Sequence, residues 1–303
     1  MFLPPGVRRR FSPWWDRIRT VAAFRRVPGQ SLSFDRELGS FVATKSINGK
    51  PGRLAVRSYR EFRRWHLLGR DDKDLVMRCL LAGPSIGVFY DVGASNGIYG
   101  FAAHSIHRCK VVFVEPYTPS VETILKSAYA YIREGDAQDT FEVVPAAIDA
   151  GEGFARLEMH GPPIAGATRN TFADAAVYTG EDRQRFPVSL SQWTKGVSLD
   201  ALVYDYGLPA PSVLKIDVDG YEALAIRGAG RLIADRAVQL IVVEINSEAA
   251  RVEIDAALVE HGYKLVCSRR HHDDPNEYVG DWVYARDDAY PQWSVVAEAA
   301  KAE

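Results

Sequence analysis

Three acids stand where apolar runs of this chain end or give way to polar residues: Glu115 after Lys110 to Val114, Asp217 after Ser212 to Ile216, and Glu244 near the end of Val238 to Ile245. A further run, Ile86 to Val92, carries Asp91 and leads into Gly93-Ala94-Ser95-Asn96-Gly97. Glycines between a strand and a helix let the backbone approach a ligand closely, while the helix start offers N–H groups. That chemistry suits a nucleotide. Glu115 lies 18 residues after Gly97, where an acid accepts hydrogen bonds from both ribose hydroxyls of an adenosine. Pro116 ends the strand and keeps the carboxylate at its rim. At Ala146-Ala147-Ile148-Asp149, the small Ala147 side chain leaves room for a flat adenine and Asp149 is placed to accept its amino proton. A hairpin-turn residue before Gly151 is the plainer reading of Asp149. The glycines do not form G-x-G-x-x-G, because Ala94 and Ser95 follow Gly93, which weakens a nicotinamide-dinucleotide reading.

Asp217 falls at the end of a central strand, where open α/β sheets collect their ligands. A carboxylate there has two uses: it holds a cationic group, or it acts as general base toward an acceptor hydroxyl. Glu244 occupies the same edge and is a substrate-side candidate, with helix capping as its alternative. His160 opens a long polar segment and is a further candidate base. Lys215 either anchors a substrate oxygen or snorkels to the surface. Arg269-Arg270-His271-His272-Asp273-Asp274 contains potential metal ligands, but adjacent histidines point apart and no metal site is assigned. His104 and His107, at i and i+3, read as packing or surface groups.

Strands and helices alternate around these residues. Ile86–Val92, Lys110–Val114 and Phe141–Ile148 read as strands, separated by helices over Ile98–Ile106 and Pro119–Ile132. The alternation resumes with strands at Ser212–Ile216, Val238–Ile245 and Tyr263–Cys267, helices at Tyr221–Arg227 and Glu248–Glu260, and a last strand at Tyr278–Ala285. Near-continuous apolar strands between amphipathic helices require a sheet covered on both faces. The expected fold is α/β, a Rossmann-like doubly wound and mainly parallel seven-stranded sheet. Before it, residues 39–58 read as short strands around a turn at Gly49 to Gly52, and Asp71 to Leu81 as a helix. Met159 to Gln184 is too long for a routine connection and reads as a cover over the site.

The run Leu214-Lys215-Ile216-Asp217-Val218-Asp219-Gly220-Tyr221-Glu222, with Gly228-Ala229 beyond it and Val197-Ser198-Leu199-Asp200-Ala201-Leu202 before it, resembles the signature of FkbM-type S-adenosylmethionine-dependent methyltransferases. The resemblance spans about residues 88–268 and includes the glycine turn and the acid at Glu115. Two positions depart from the family pattern: Asp219 replaces a glutamate, and the asparagine of the turn sits one place late, leaving Ser95 or Asn96 to meet the methionine end. The resemblance implies S-adenosyl-L-methionine as cofactor, held by Asp91, Gly93, Ser95, Asn96, Gly97, Glu115, Ala147, Asp149 and Asp217. It also implies O-methylation, often of a sugar hydroxyl in a glycan or secondary metabolite. Asp217, Glu244 and His160 are then the catalytic candidates. Residues 41–286 form the methyltransferase domain, after a basic extension (1–40) and before a C-terminal helix or tail (287–303).

The chain has 303 residues, 47% of them hydrophobic and 25% charged, which excludes a disordered or fibrous chain. Its formal charge of -2 argues against coating nucleic acid. The three cysteines lack paired spacing, so a reducing compartment, the cytoplasm, is the default. Seven arginines and one acid give residues 1–26 a charge of +6. This arm, bearing Trp14 and Trp15, either packs against the body or a partner subunit, or makes a peripheral contact with an anionic membrane through residues 8–26. A non-catalytic scaffold of the same fold is the competing reading of the whole chain.

Overall fold

The computed structural model describes residues 29–70, 74–135, 139–159, 171–172, 188–270 and 279–301. His160, the arm at 8–26 and His271 to Asp274 therefore lie outside the described residues. An antiparallel meander comes first: β1 (Gln30–Asp35), β2 (Ser40–Ile47) and β3 (Lys50–Val56). The β2–β3 turn is Asn48-Gly49, both residues left-handed at φ 48° and 75°. Two-residue hairpins demand that backbone, and Asn-Gly adopts it at least cost. The turn expected over Gly49–Gly52 thus sits earlier, and Lys50 to Gly52 belong to the strand. β1 lies within the segment read as an extension.

Two helices follow. In α1 (Tyr59–Leu67), the Ser58 hydroxyl accepts from the Glu61 N–H, and the Glu61 carboxylate accepts from the Ser58 N–H. This reciprocal cap fixes the start, while Phe62 and Trp65 anchor the helix in the core. α2 (Leu75–Ala82) is capped by Asp74, and Asp71, the expected start, lies outside the described residues.

The central sheet uses β4 (Val88–Val92), β5 (Lys110–Val114), β6 (Phe141–Val144), β11 (Val213–Ile216), β12 (Leu240–Ile245), β13 (Tyr263–Arg270) and β14 (Gly280–Arg286). Their order is β13-β14-β12-β11-β4-β5-β6, with β14 antiparallel to both its neighbours and the other adjacent pairs parallel. The chain winds outward from β4 to β6 on one side and from β11 on the other. The switch point therefore lies between β4 and β11. Alternate strand residues serve two cores. Phe89, Val111, Phe113 and Val242 face α2, α3 (Ile98–His107), α4 (Thr118–Arg133) and α9 (Tyr290–Lys301). Tyr90, Val112, Leu214 and Val243 face α5 (Leu199–Tyr204), α6 (Glu222–Arg227), α7 (Gly230–Ala234) and α8 (Glu248–Glu260). Both faces are covered, as the doubly wound pattern requires.

A second sheet departs from expectation. The run Phe141–Ile148 is not one strand: Pro145 lacks an N–H for the ladder, and after it β7 (Ala147–Ile148) pairs with β10 (Leu190–Val197) instead of β5. β10 also pairs antiparallel with β8 (Gly153–Met159), which carries β9 (Thr171–Phe172) on its other side. Of the segment read as a cover, Met159–Gln184, only Met159 of β8 and the two residues of β9 lie within the described residues, and both strands belong to this sheet. No described helix is long and apolar enough to cross a membrane.

Candidate active site

Gly93 follows β4 directly, at φ 68°. A Cβ there would lie 1.8 Å from the Asp217 carbonyl oxygen, so only glycine lets the turns after β4 and β11 touch. The Gly93 and Ala94 N–H groups donate to the Val114 carbonyl, drawing the turn across the end of β5. Ser95, also left-handed at φ 54°, donates its N–H to Glu115 Oε2 at 2.7 Å. The Tyr117 N–H donates to Glu115 Oε1 at 2.8 Å. Glu115 is thereby fixed at the rim of β5. Burial pushes its pKa up to about 7, although both N–H groups favour the ionised form.

A cavity of about 120 Å³ opens beside Glu115. Ala147, Ile148, Leu157, Val218 and Tyr221 line it, so the second sheet supplies part of its wall through β7 and β8. Gly93, Ser95, Asp217 and Arg64 line both this cavity and a larger cleft of about 460 Å³. The larger cleft adds Asn96, Tyr99, Asp74, Glu244, Arg269 and Asp281. Asn96 is fully buried, and neither atom of its amide has a hydrogen-bond partner. A buried amide without partners costs about 1–3 kcal/mol, which a polar ligand in this cleft would recover.

Lys215 lies under the junction, 3% exposed. Its Nζ sits 3.1 Å from Asp91 Oδ1 and 3.4 Å from Asp217 Oδ2, and donates to the Gly93 carbonyl. Burial opposes its charge, but Asp91 and Asp217 outweigh that effect and raise its pKa. It is an internal cation that ties β11 to the glycine turn, not a surface lysine. Glu244, at the end of β12, is pushed up to about 9, first by burial and then by Asp217, Asp281, Asp219 and Glu222. Burial and the surrounding acids both favour its protonated form. Glu222 is fully buried, accepts from the Val218 and Gly220 N–H groups, and so shapes the loop behind Asp217.

Of the residues expected from sequence, Gly93, Ser95, Asn96, Glu115, Ala147, Asp217 and Glu244 converge on the two cavities. Three expected cofactor residues line neither. Asp91 is turned inward, fully buried, and its Oδ2 caps the Gly100 N–H at the start of α3. Gly97 faces the core, where a Cβ would press on Phe101 and Phe113. Asp149 donates its N–H to the Val197 carbonyl, and its carboxylate accepts from Ala150 in its own turn. His104 and His107 meet the Cys109 and Leu80 carbonyls and belong to the packing.

Sequence reasoning missed Arg64, Asp74, Leu157 and Asp281, which come from α1, the start of α2, β8 and β14. Among these, only Asp281 had an available signal: it faces Arg269 in the β13–β14 ladder, at the edge that parallel strands direct toward ligands. The other motif residues have structural work. Asp200 caps the Arg231 and Leu232 N–H groups of α7, and Gly228 fits against the Asp149 carbonyl where a Cβ would lie at 2.4 Å.

Residues 91–265 match the family model of the methyltransferase FkbM domain. No curated protein matches the chain. Among solved structures, the chain is similar to methyltransferase FkbM from Methylobacillus flagellatus KT, at 17% identity and a TM-score of 0.45. That alignment covers 75% of this chain and 50% of the other, so this chain spans about half of its relative's length. It is also similar to Aeropyrum pernix fibrillarin with natively bound S-adenosyl-L-methionine, at 13% identity and a TM-score of 0.40, covering 85% and 94% of the two chains. A third is the precorrin-6y C5,15-methyltransferase of Geobacter metallireducens GS-15, at 11% identity and a TM-score of 0.38, covering 71% and 87%.

Proposed function

The chain belongs to the FkbM methyltransferase family, and from that premise we propose that it methylates a hydroxyl oxygen of a sugar, glycan or secondary metabolite using S-adenosyl-L-methionine. One observation carries this reading: two cavities of different character join at Gly93 and Asp217, on the carboxyl edge of the sheet. Glu115, Asp217 and Asp219 are the acids of the smaller; Glu115, at the rim of β5, suits the ribose of an adenosine, with Ala147 and Leu157 beside the base. The larger holds Asn96 and several carboxylates, suited to the methionine end and a polyhydroxylated acceptor.

When bound, the cofactor supplies an activated methyl group, whose transfer is an in-line displacement at carbon. The protein's part is to align the acceptor, exclude water and receive a proton. Asp217 lines both cavities, which supports its accepting from the cofactor's ammonium group. Glu244 first donates its proton as a hydrogen bond to an acceptor oxygen. Positive charge entering this acid-rich cleft lowers its proton affinity, Glu244 releases that proton to solvent, and the carboxylate so formed takes the acceptor's hydroxyl proton.

Incubation with S-adenosylmethionine and a panel of sugars and hydroxylated metabolites tests this, read as S-adenosylhomocysteine released and methyl ether formed. Release of S-adenosylhomocysteine with methyl on nitrogen or carbon would overturn the oxygen assignment. The membrane contact through residues 8–26 rests on the basic, tryptophan-bearing sequence. Co-sedimentation with anionic vesicles at low and high salt, with and without residues 1–26, tests it.

A further inference from the structure

We infer that Arg64 receives the carboxylate of the cofactor's amino acid end, so that a residue outside the family-matched segment completes the cofactor site. This rests on the cofactor reading above and extends it to the α-amino acid moiety. Arg64 is one of the residues that line both cavities, and it projects from the last turn of α1. Its guanidinium donates to Ser95 Oγ at 3.0 Å. Among the described residues no carboxylate pairs with it.

The other cations of the site are committed. Lys215 already serves Asp91, Asp217 and two backbone carbonyls, while Arg269 lies opposite Asp281 in the β13–β14 ladder and lines the larger cleft alone. Arg64 thus leaves a guanidinium fork unneutralised beside acid-rich walls. A guanidinium binds a carboxylate in a bidentate, planar fashion that an ammonium cannot reproduce. Asp217 lines the same junction with its side chain 38% exposed. One cation and one anion at a single junction match a zwitterion, with Arg64 facing the carboxylate and Asp217 the ammonium.

The supports are rigid. Phe62 and Trp65 bury the helix on either side of Arg64, and Lys45 Nζ donates to the Trp65 and Leu68 carbonyls at the helix end. Ser95 explains itself as well. Its left-handed backbone aims the N–H at Glu115, while its hydroxyl steadies Arg64, so one residue joins the ribose site to the carboxylate site.

Calorimetric titration with S-adenosylhomocysteine and with 5′-methylthioadenosine, which lacks the amino acid end, tests the assignment. Wild-type protein should prefer S-adenosylhomocysteine. Arg64→Gln should weaken that ligand by roughly 30-fold or more while moving the methylthioadenosine Kd less than about twofold, as loss of a charge-assisted bidentate contact predicts. Arg64→Lys should keep part of the preference, and Ser95→Ala should reduce it by a smaller factor. Equal weakening of both ligands by Arg64→Gln, or weakening of neither, overturns the assignment and leaves the cofactor reading standing. A wild-type protein that binds neither ligand removes both.

Discussion

The cavity beside β5 and the cleft beside β12 share Gly93 and Asp217 but are built differently. In the first, backbone does the shaping: two N–H groups hold Glu115, a glycine removes a Cβ, and small or apolar side chains form most of the wall, with Arg64, Asp217 and Asp219 at the junction side. In the second, side chains dominate, drawn from α1, the start of α2, β12, β13 and β14. Backbone-built sites suit one invariant ligand, because little in them is free to vary without breaking the turn. Side-chain-built clefts suit a ligand that differs between relatives. Under the proposed function, the nucleoside takes the small cavity and the acceptor the large one.

The largest test of that division is Gly93→Val. With a Cβ 1.8 Å from the Asp217 carbonyl, the two turns must separate and both cavities deform, so S-adenosylhomocysteine binding should vanish in calorimetry. Retained binding would show that the junction is not shared. Next, Glu244→Gln should lower kcat by roughly 10²–10⁴-fold with cofactor affinity unchanged. Wild-type kcat should climb with pH along a limb below the ligand-free value of about 9, since bound positive charge lowers the proton affinity of Glu244, and the variant should lose that limb. Glu115→Ala should do the opposite, weakening S-adenosylhomocysteine by about 2–4 kcal/mol while leaving the acceptor KM in place. A change in acceptor KM alone would place Glu115 on the wrong side of the division.

A smaller effect concerns stability. Burial pushes Glu115 and Glu222 from 4.5 up to about 7. Between those values the folded chain binds more protons than the unfolded one, so stability falls as pH rises. From pH 6 to 8 each group should cost the ligand-free protein about 1 kcal/mol. Thermal melts across that range should slope less in Glu222→Gln. Smallest of all, Asp149→Ala should leave S-adenosylhomocysteine affinity within about twofold, since its carboxylate serves its own turn.

Much of the sheet is legible in the sequence because each strand obeys a simple rule. β5 and α8 fall on the expected residues, and the acids Glu115, Asp217 and Glu244 could be placed at the carboxyl edge from parallel pairing alone. The break at Pro145 was less visible, since an apolar run reads as one strand whether it stays in one sheet or passes to another. β8 and β10 expose Phe154, Leu190 and Trp193 to solvent, so their apolar content did not mark them as strands with one buried face. Asp91 lies off both cavities for a different reason. It belongs to the glycine-turn signature, yet a residue inside a strand can face the sheet interior, where it caps α3 and neutralises Lys215. Arg64 carried no signal: it comes from a helix 31 residues before Ser95, and only the packing of Phe62 and Trp65 aims it at the site.

The central claim is that the joined cavities are an S-adenosylmethionine site, and one calorimetric experiment tests it most directly: titration of the wild-type protein with S-adenosylhomocysteine and, separately, with NAD. The account predicts saturable one-to-one binding of S-adenosylhomocysteine and none of NAD, whose second nucleotide has no pyrophosphate-binding glycine pattern to meet. Binding of NAD, or failure of S-adenosylhomocysteine to bind at all, would contradict it.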